Sequence, residues 1–170
     1  MPLIKLELLI DADRSIVFDL ARSIDLHMVS AGKTNEKAIA GRTSGLIEVG
    51  ESVTWRAKHL GFYQKLSVII TEMERPDFFA DEMTKGAFKR FHHVHRFVEE
   101  DGKTRMIDEF DYESPLGFLG KITDWLFLES YMKRFLEERN LVIKEFAESG
   151  KWKEVLTERE TVRGSGEIGS

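Results

Sequence analysis

Between Gly41 and Pro115, apolar and polar residues alternate in short runs separated by turn residues, and no stretch with helical spacing intervenes. Neighbouring parallel strands need a long crossover, usually a helix, whereas antiparallel strands need only a tight turn. This segment is therefore expected to fold as an antiparallel meander rather than as βαβ units. Six strands are expected. GLIEV is the first, and Gly50 and Glu51 turn the chain into SVTWRAKHL, where Val53, Trp55, Ala57 and His59 share a face. FYQKLSVIITEME follows Gly61, with Phe62, Leu66, Val68 and Ile70 in phase, and Pro76 ends it. FFADEMTKG, AFKRFHHVHRFVEE and TRMIDEFDYES complete the set. Asp101-Gly102 joins the last two and is a strong hairpin signal.

The flanks differ in kind. Ile4, Leu6, Leu8 and Ile10 occupy one face of an opening strand. Asp11 or Asp13 can cap a short helix beginning near Arg14, and a second short helix is expected around Ile24 to Val29. After Pro115 the spacing switches to three and four residues, as in Met132, Phe135, Leu136, Val142, Ile143 and Phe146. This predicts an amphipathic helix over 119–148, about 45 Å long at ~1.5 Å per residue. Trp152, Val155 and Leu156 either prolong it or form a short cap. The fold class is therefore α+β, one domain over 1–156. The polar tail 157–170 is expected to be disordered.

A chain of 170 residues, 42% hydrophobic and 32% charged, can bury one self-sufficient core. A net charge of −5 with no basic stripe argues against nucleic acid as a partner. The absence of cysteine excludes disulfides and thiolate metal sites. The opening MPLIKLELLIDAD does not read as a signal peptide, because Lys5 and Glu7 break its apolar run. No apolar run reaches the ~20 residues of a membrane helix. A cytoplasmic protein without integral membrane association is expected, as monomer or homodimer.

A bent sheet has one hollow face, and a long helix laid across it on large side chains leaves a cavity. The order of elements is similar to that of the START-like helix-grip superfamily (SRPBCC), which includes birch-pollen-allergen-like and polyketide-cyclase-like proteins. GRTSGLIEVGESVTWRAKHLG resembles the second and third strands of its bacterial members. FKRFHHVHRF and TRMIDEFDYESPLGFLGKITDWLF resemble the last two strands and the entry to the gripping helix, and FLEERN its middle. The resemblance covers residues 3 to 148. It implies a curved sheet of about seven strands around a long C-terminal helix. Members bind lipids, hormones or aromatic polyketides, and some catalyse cyclisation or dehydration. No universal catalytic residue defines the group, so none is carried over.

Three of the five histidines stand within FKRFHHVHRF. Alternation puts Phe91, His93, His95 and Phe97 on one face, and Met106, Asp108, Phe110 and Tyr112 on the facing side of the next strand. Counting from the Asp101-Gly102 turn brings Asp108 within reach of His93 or His95. The leading expectation is that the two imidazoles bond to Asp108 and polarise one cavity wall. Acid–base catalysis by His93, His95 and Asp108 is one alternative. Metal binding by His93 and His95 with Asp108 or Glu82 is another; the expectation retained is no metal and no cofactor. Glu82 faces the cavity if Phe78 and Ala80 do, and solvent if Phe79 and Met83 do. Trp55, Trp125, Met132 and Phe135 are expected to line the cavity or its core. Phe127 and Tyr131 suit an entrance or a dimer contact. The PLGFLG stretch reads as a strand-to-helix corner, or as a hinge that gates the cavity. Glu137, Glu138 and Arg139 read as a solvated helix face.

The function expected is binding of a small hydrophobic or aromatic ligand. The ligand-contact set is Trp55, Glu82, Phe91, His93, His95, Phe97, Asp108, Phe110, Tyr112, Trp125, Met132 and Phe135. A cyclase or dehydratase using a cavity histidine is the alternative. A protein-interaction adaptor with an exposed apolar helix face is the third.

Overall fold

The computed structural model describes residues 2–59, 61–114 and 127–156. The first part of the expected long helix, the PLGFLG stretch, Trp125 and the tail from 157 lie outside the described residues.

The alternating opening forms β1 (Leu3–Ile10), with Ile4 and Ile10 buried and Leu3 and Leu9 exposed. Asp13 caps α1 (Arg14–Ala21), its side chain accepting from the Ser15 N–H at 2.8 Å. Ser23 caps α2 (Ile24–Ser30), and a 3-10 turn follows at Gly32–Thr34. Six strands come next: β2 (Lys37–Gly41), β3 (Ser52–His59), β4 (Phe62–Glu74), β5 (Phe78–Lys85), β6 (Arg90–Glu100) and β7 (Lys103–Glu113). The chain ends in α3 (Glu129–Ser149) and α4 (Trp152–Leu156), separated by Gly150 at φ 79°. That left-handed residue terminates α3, so Trp152 and Leu156 pack as a separate short helix.

The strands form one antiparallel sheet in the order β1-β7-β6-β5-β4-β3-β2. Asp101 and Gly102 both have positive φ, 51° and 77°, as a two-residue hairpin turn requires. This turn sets Glu100 opposite Lys103 and fixes the β6–β7 register back to Arg90 opposite Glu113. Register shifts in β4, at Ser67/Val68 and Ile70/Glu72, mark bulges against β5; bulges bend a strand and increase its twist.

The expected strand GLIEV is not a strand. β2 lies earlier, in KAIAG, and the 45–49 stretch is loop. That loop is pinned instead to the α1–α2 junction: Ile47 N–H donates to the Arg22 carbonyl at 3.2 Å, and Leu46 bridges Ser23. Ile47 is only 3% exposed, so its apolar content serves the core from a loop. Phe62, in phase with the inward residues of β4, stands at the strand's first position and is exposed.

α3 lies against α1, α2 and β1. Its buried residues Leu136, Asn140, Ile143 and Ala147 follow the three- and four-residue spacing of one helix face. Phe18 of α1 fills the centre of the core at 0% exposure, edge-on to Phe79 at 5.6 Å and to Phe97 at 5.3 Å. No helix of the described residues is long and apolar enough to cross a membrane.

Candidate functional site

Between sheet and helix lies a cavity with about 780 Å³ of space between atoms, counting the part open to solvent. Ile24, Val53, Val68, Ile70, Phe91 and Met132 form much of its apolar wall. Polar groups enter at two poles, one on β5–β6 and one beside α2.

The first pole is set by strand pairing. His95 lies directly opposite Asp108, His93 opposite Phe110, and Asp81 of β5 opposite His93. His95 Nδ1 is 2.6 Å from Asp108 Oδ1, and its Nε2 is 3.3 Å from Asp81 Oδ1. His93 lies beside it, with ring centroids 3.9 Å apart. Its Nε2 is 3.5 Å from Asp108 Oδ1 and its Nδ1 3.9 Å from Asp81 Oδ1. Asn140 reaches down from α3 and donates to the other Asp108 oxygen at 2.5 Å. Phe79 stacks on His95 with centroids 4.3 Å apart. Both histidines and Asp108 are buried.

Burial and pairing pull these groups in opposite directions. Burial disfavours a charged His95, but Asp108, bonded to it, and then Asp81 outweigh this and raise its pKa above the ordinary imidazole value. Burial and the neighbouring His95 push His93 below that value. Burial would raise Asp108, yet His95 and His93 hold it well below the usual carboxylate range. Asp81 is likewise raised by burial and lowered further by its bond from His95. The cluster thus drives the pKa values of its two imidazoles apart, His95 upward and His93 downward, around one shared carboxylate. Arg139 also lines the cavity, donating to the Ala21 carbonyl at 2.9 Å.

The second pole joins α2 to β3. His27 stacks on Trp55 with centroids 4.2 Å apart, and its Nε2 is 3.2 Å from Glu36 Oε2. Glu36 is buried at 7% exposure. Burial raises its pKa, but His27 outweighs this and leaves it lowered. A carboxylate whose pKa falls on folding contributes stability above its unfolded value, about 4.3, and loses it as pH drops through the folded value. The stability deficit of Glu36→Gln is therefore expected to narrow below about pH 4, measured by urea denaturation across pH. Near this pole His59 Nδ1 is 2.6 Å from Tyr131 Oη, tying β3 to α3, and Phe127 stacks on Tyr131 at 6.2 Å.

Of the expected contact residues, Trp55, Phe91, His93, His95, Phe110, Met132 and Phe135 line the cavity. Phe97, Asp108 and Tyr112 are buried but stand behind the lining, Asp108 as support for both histidines. Glu82 is a correction. It is exposed on the outer face of β5, 3.9 Å from His92. The inward phase of this strand is Phe79, Asp81 and Met83, because Arg96 covers the outward Phe78 at 5.6 Å. Asp81 thus takes the place expected of Glu82. Arg139 is a second correction: it is buried at 9% exposure rather than solvated. Asn140, Glu36 and His27 do not stand out in the sequence: Glu36 sits in the polar run KTNEK, and Asn140 and His27 sit within helical stretches of mixed polarity.

The fold has solved counterparts. A protein from Thermus thermophilus matches with TM-score 0.71 and 18% identity, covering 88% of this chain and 99% of that one. Ginseng major latex-like protein 151 from Panax ginseng matches with TM-score 0.65 and 16% identity over 86% and 97% of the two chains. A START superfamily protein from Mycobacterium smegmatis gives TM-score 0.66 and 10% identity over 86% and 97%. The chain therefore has the START-like helix-grip fold that its sequence resembles. No family model matches the sequence, nor does any curated protein. At such identities the likeness defines the fold, and function has to be argued from the site.

Proposed function

We propose that this protein binds a small, largely apolar molecule in the cavity between sheet and helix, with a polar group of the ligand directed at Asp81, His93 and His95. One observation carries the reading: an apolar hollow whose wall is interrupted by a buried, hydrogen-bonded acid–imidazole cluster. Apolar burial supplies most of the affinity, at ~25 cal/mol per Å² before ordering costs. The polar cluster supplies orientation, since a ligand that leaves it unpaired loses affinity. Glu36 and His27 offer a second polar contact, which favours ligands polar at two ends over plain hydrocarbons.

Native mass spectrometry of freshly purified protein tests the reading by looking for a co-purifying small molecule. An environment-sensitive apolar dye gives the quantitative form. Met132→Trp, which adds bulk to the lining, is expected to weaken dye binding at least tenfold while far-UV circular dichroism stays unchanged. Undiminished dye binding by this variant would sink the proposal.

A second reading, acid–base catalysis on the bound molecule, is favoured by the His95–Asp108 dyad beside a second imidazole at the cavity wall. Loss of turnover in His93→Gln with dye affinity retained supports catalysis through this histidine; retained turnover excludes His93 as the acid or base, and no turnover by the unaltered protein refutes the enzyme reading. The adaptor reading has less behind it: Phe127 and Leu141 are the exposed large apolar residues on the described part of the helix.

A further inference from the structure

The geometry points to a divalent transition-metal site at the cavity wall, formed by Asp81, His93 and His95 and supported from behind by Asp108. One donor atom from each of the three residues lies within 4.8 Å of the other two. Asp81 Oδ1 is 3.3 Å from His95 Nε2 and 3.9 Å from His93 Nδ1. An ion with bonds of about 2.1 Å holds neighbouring ligand atoms roughly 3 to 3.5 Å apart. The Asp81–His95 separation already lies in that range and the Asp81–His93 separation just above it.

Tautomers are the second argument. To ligate through Nδ1, His93 must carry its proton on Nε2; to ligate through Nε2, His95 must carry its proton on Nδ1. Both of those outer nitrogens face the same atom, Asp108 Oδ1, at 3.5 and 2.6 Å. His93 Nε2 is buried and has no hydrogen-bond partner among the described residues, so as an N–H its acceptor within reach is this oxygen. A carboxylate behind a ligating histidine fixes ring orientation and raises ligand basicity. Here one carboxylate does so for two rings, and Asn140 holds that carboxylate in turn.

Charge and donor type narrow the ion. Metal binding displaces any proton on His95 Nε2, the nitrogen now directed at Asp81, and with both histidines then neutral the dication balances Asp81 and Asp108. Two imidazoles and a single carboxylate suit zinc or ferrous iron rather than calcium or magnesium, which take oxygen ligands. All three donors line the cavity, so the remaining coordination positions face the space where a ligand's polar group would sit. The site stands without the apolar-ligand reading, because none of its donors comes from a ligand.

The test uses the full-length chain stripped with chelator and titrated with Zn²⁺ by calorimetry, with no apolar probe present. One ion per chain is expected. Asp81→Asn and His93→Gln should each weaken binding at least tenfold, and Asp108→Asn, which keeps all three donors, by about 10- to 100-fold. His92→Gln, on the outer face of the same strand, should leave binding unchanged. Imidazole ¹⁵N NMR of the unaltered protein reads the site without variants: Zn²⁺ should shift His93 Nδ1 and His95 Nε2 while their other nitrogens stay protonated. Absence of stoichiometric Zn²⁺ binding overturns the proposal. So does binding that ignores Asp81→Asn and His93→Gln, or an NMR response confined to other histidines. Failure of dye binding with Zn²⁺ binding intact would remove only the apolar-ligand reading.

Discussion

Asp108→Ala is expected to destabilise the protein by about 3–5 kcal/mol, the usual cost of removing one partner of a buried ion pair. Asp108 is 1% exposed and accepts from His95 on one oxygen and from Asn140 on the other. Alanine leaves the buried His95 Nδ1 and the buried Asn140 amide without their acceptor. The penalty is thus the desolvation of two unpaired groups more than the loss of two bonds. Asp108→Asn keeps the shape and one acceptor, so it should cost distinctly less than the alanine variant. Urea denaturation at neutral pH measures both. An alanine variant within about 1 kcal/mol of wild type would mean that the cluster rearranges or hydrates freely, and the rigid polar wall would have to be abandoned.

Phe18→Ala is the second large effect, about 3–5 kcal/mol as a buried aromatic truncation. Phe18 is fully buried and meets Phe79 and Phe97 edge-on. It is also the residue by which α1 plugs the sheet. Phe79 stacks on His95 in turn, so a void at Phe18 removes support from the ring that holds the histidine in place. Dye affinity for the cavity should therefore fall along with stability. Phe18→Leu, which keeps most of the volume, is expected to cost under about 2 kcal/mol. Thermal and chemical denaturation rank the pair, and equal losses for the two variants would show that filling this space is not what Phe18 does.

Strand periodicity and turn chemistry carried much of the fold. The Asp101-Gly102 hairpin dictates the β6–β7 register, and with it the pairing of His95 and Asp108, because each residue's face is fixed once the turn is fixed. The caps Asp13 and Ser23 locate the two short helices through local hydrogen bonds alone. Such features depend on neighbours in the chain, and a single sequence contains all of them. GLIEV misled because a β-forming residue such as Ile47 can also be buried from a loop, and the loop's anchor is the Arg22 carbonyl, distant in sequence.

Local periodicity and turn geometry thus made the antiparallel meander, the closing helix over Glu129–Ser149 and the imidazole–carboxylate pair across one hairpin legible in the chain. Tertiary structure alone decided the rest. Either face of FFADEMTKG could have turned inward; packing of Phe79 against Phe18 and cover of Phe78 by Arg96 made Asp81 the cavity acid and left Glu82 outside. Only docking of α3 on α1, α2 and the sheet buried Arg139 and carried Asn140 onto Asp108, since a polar residue's burial depends on the surface it meets and not on its neighbours in the chain.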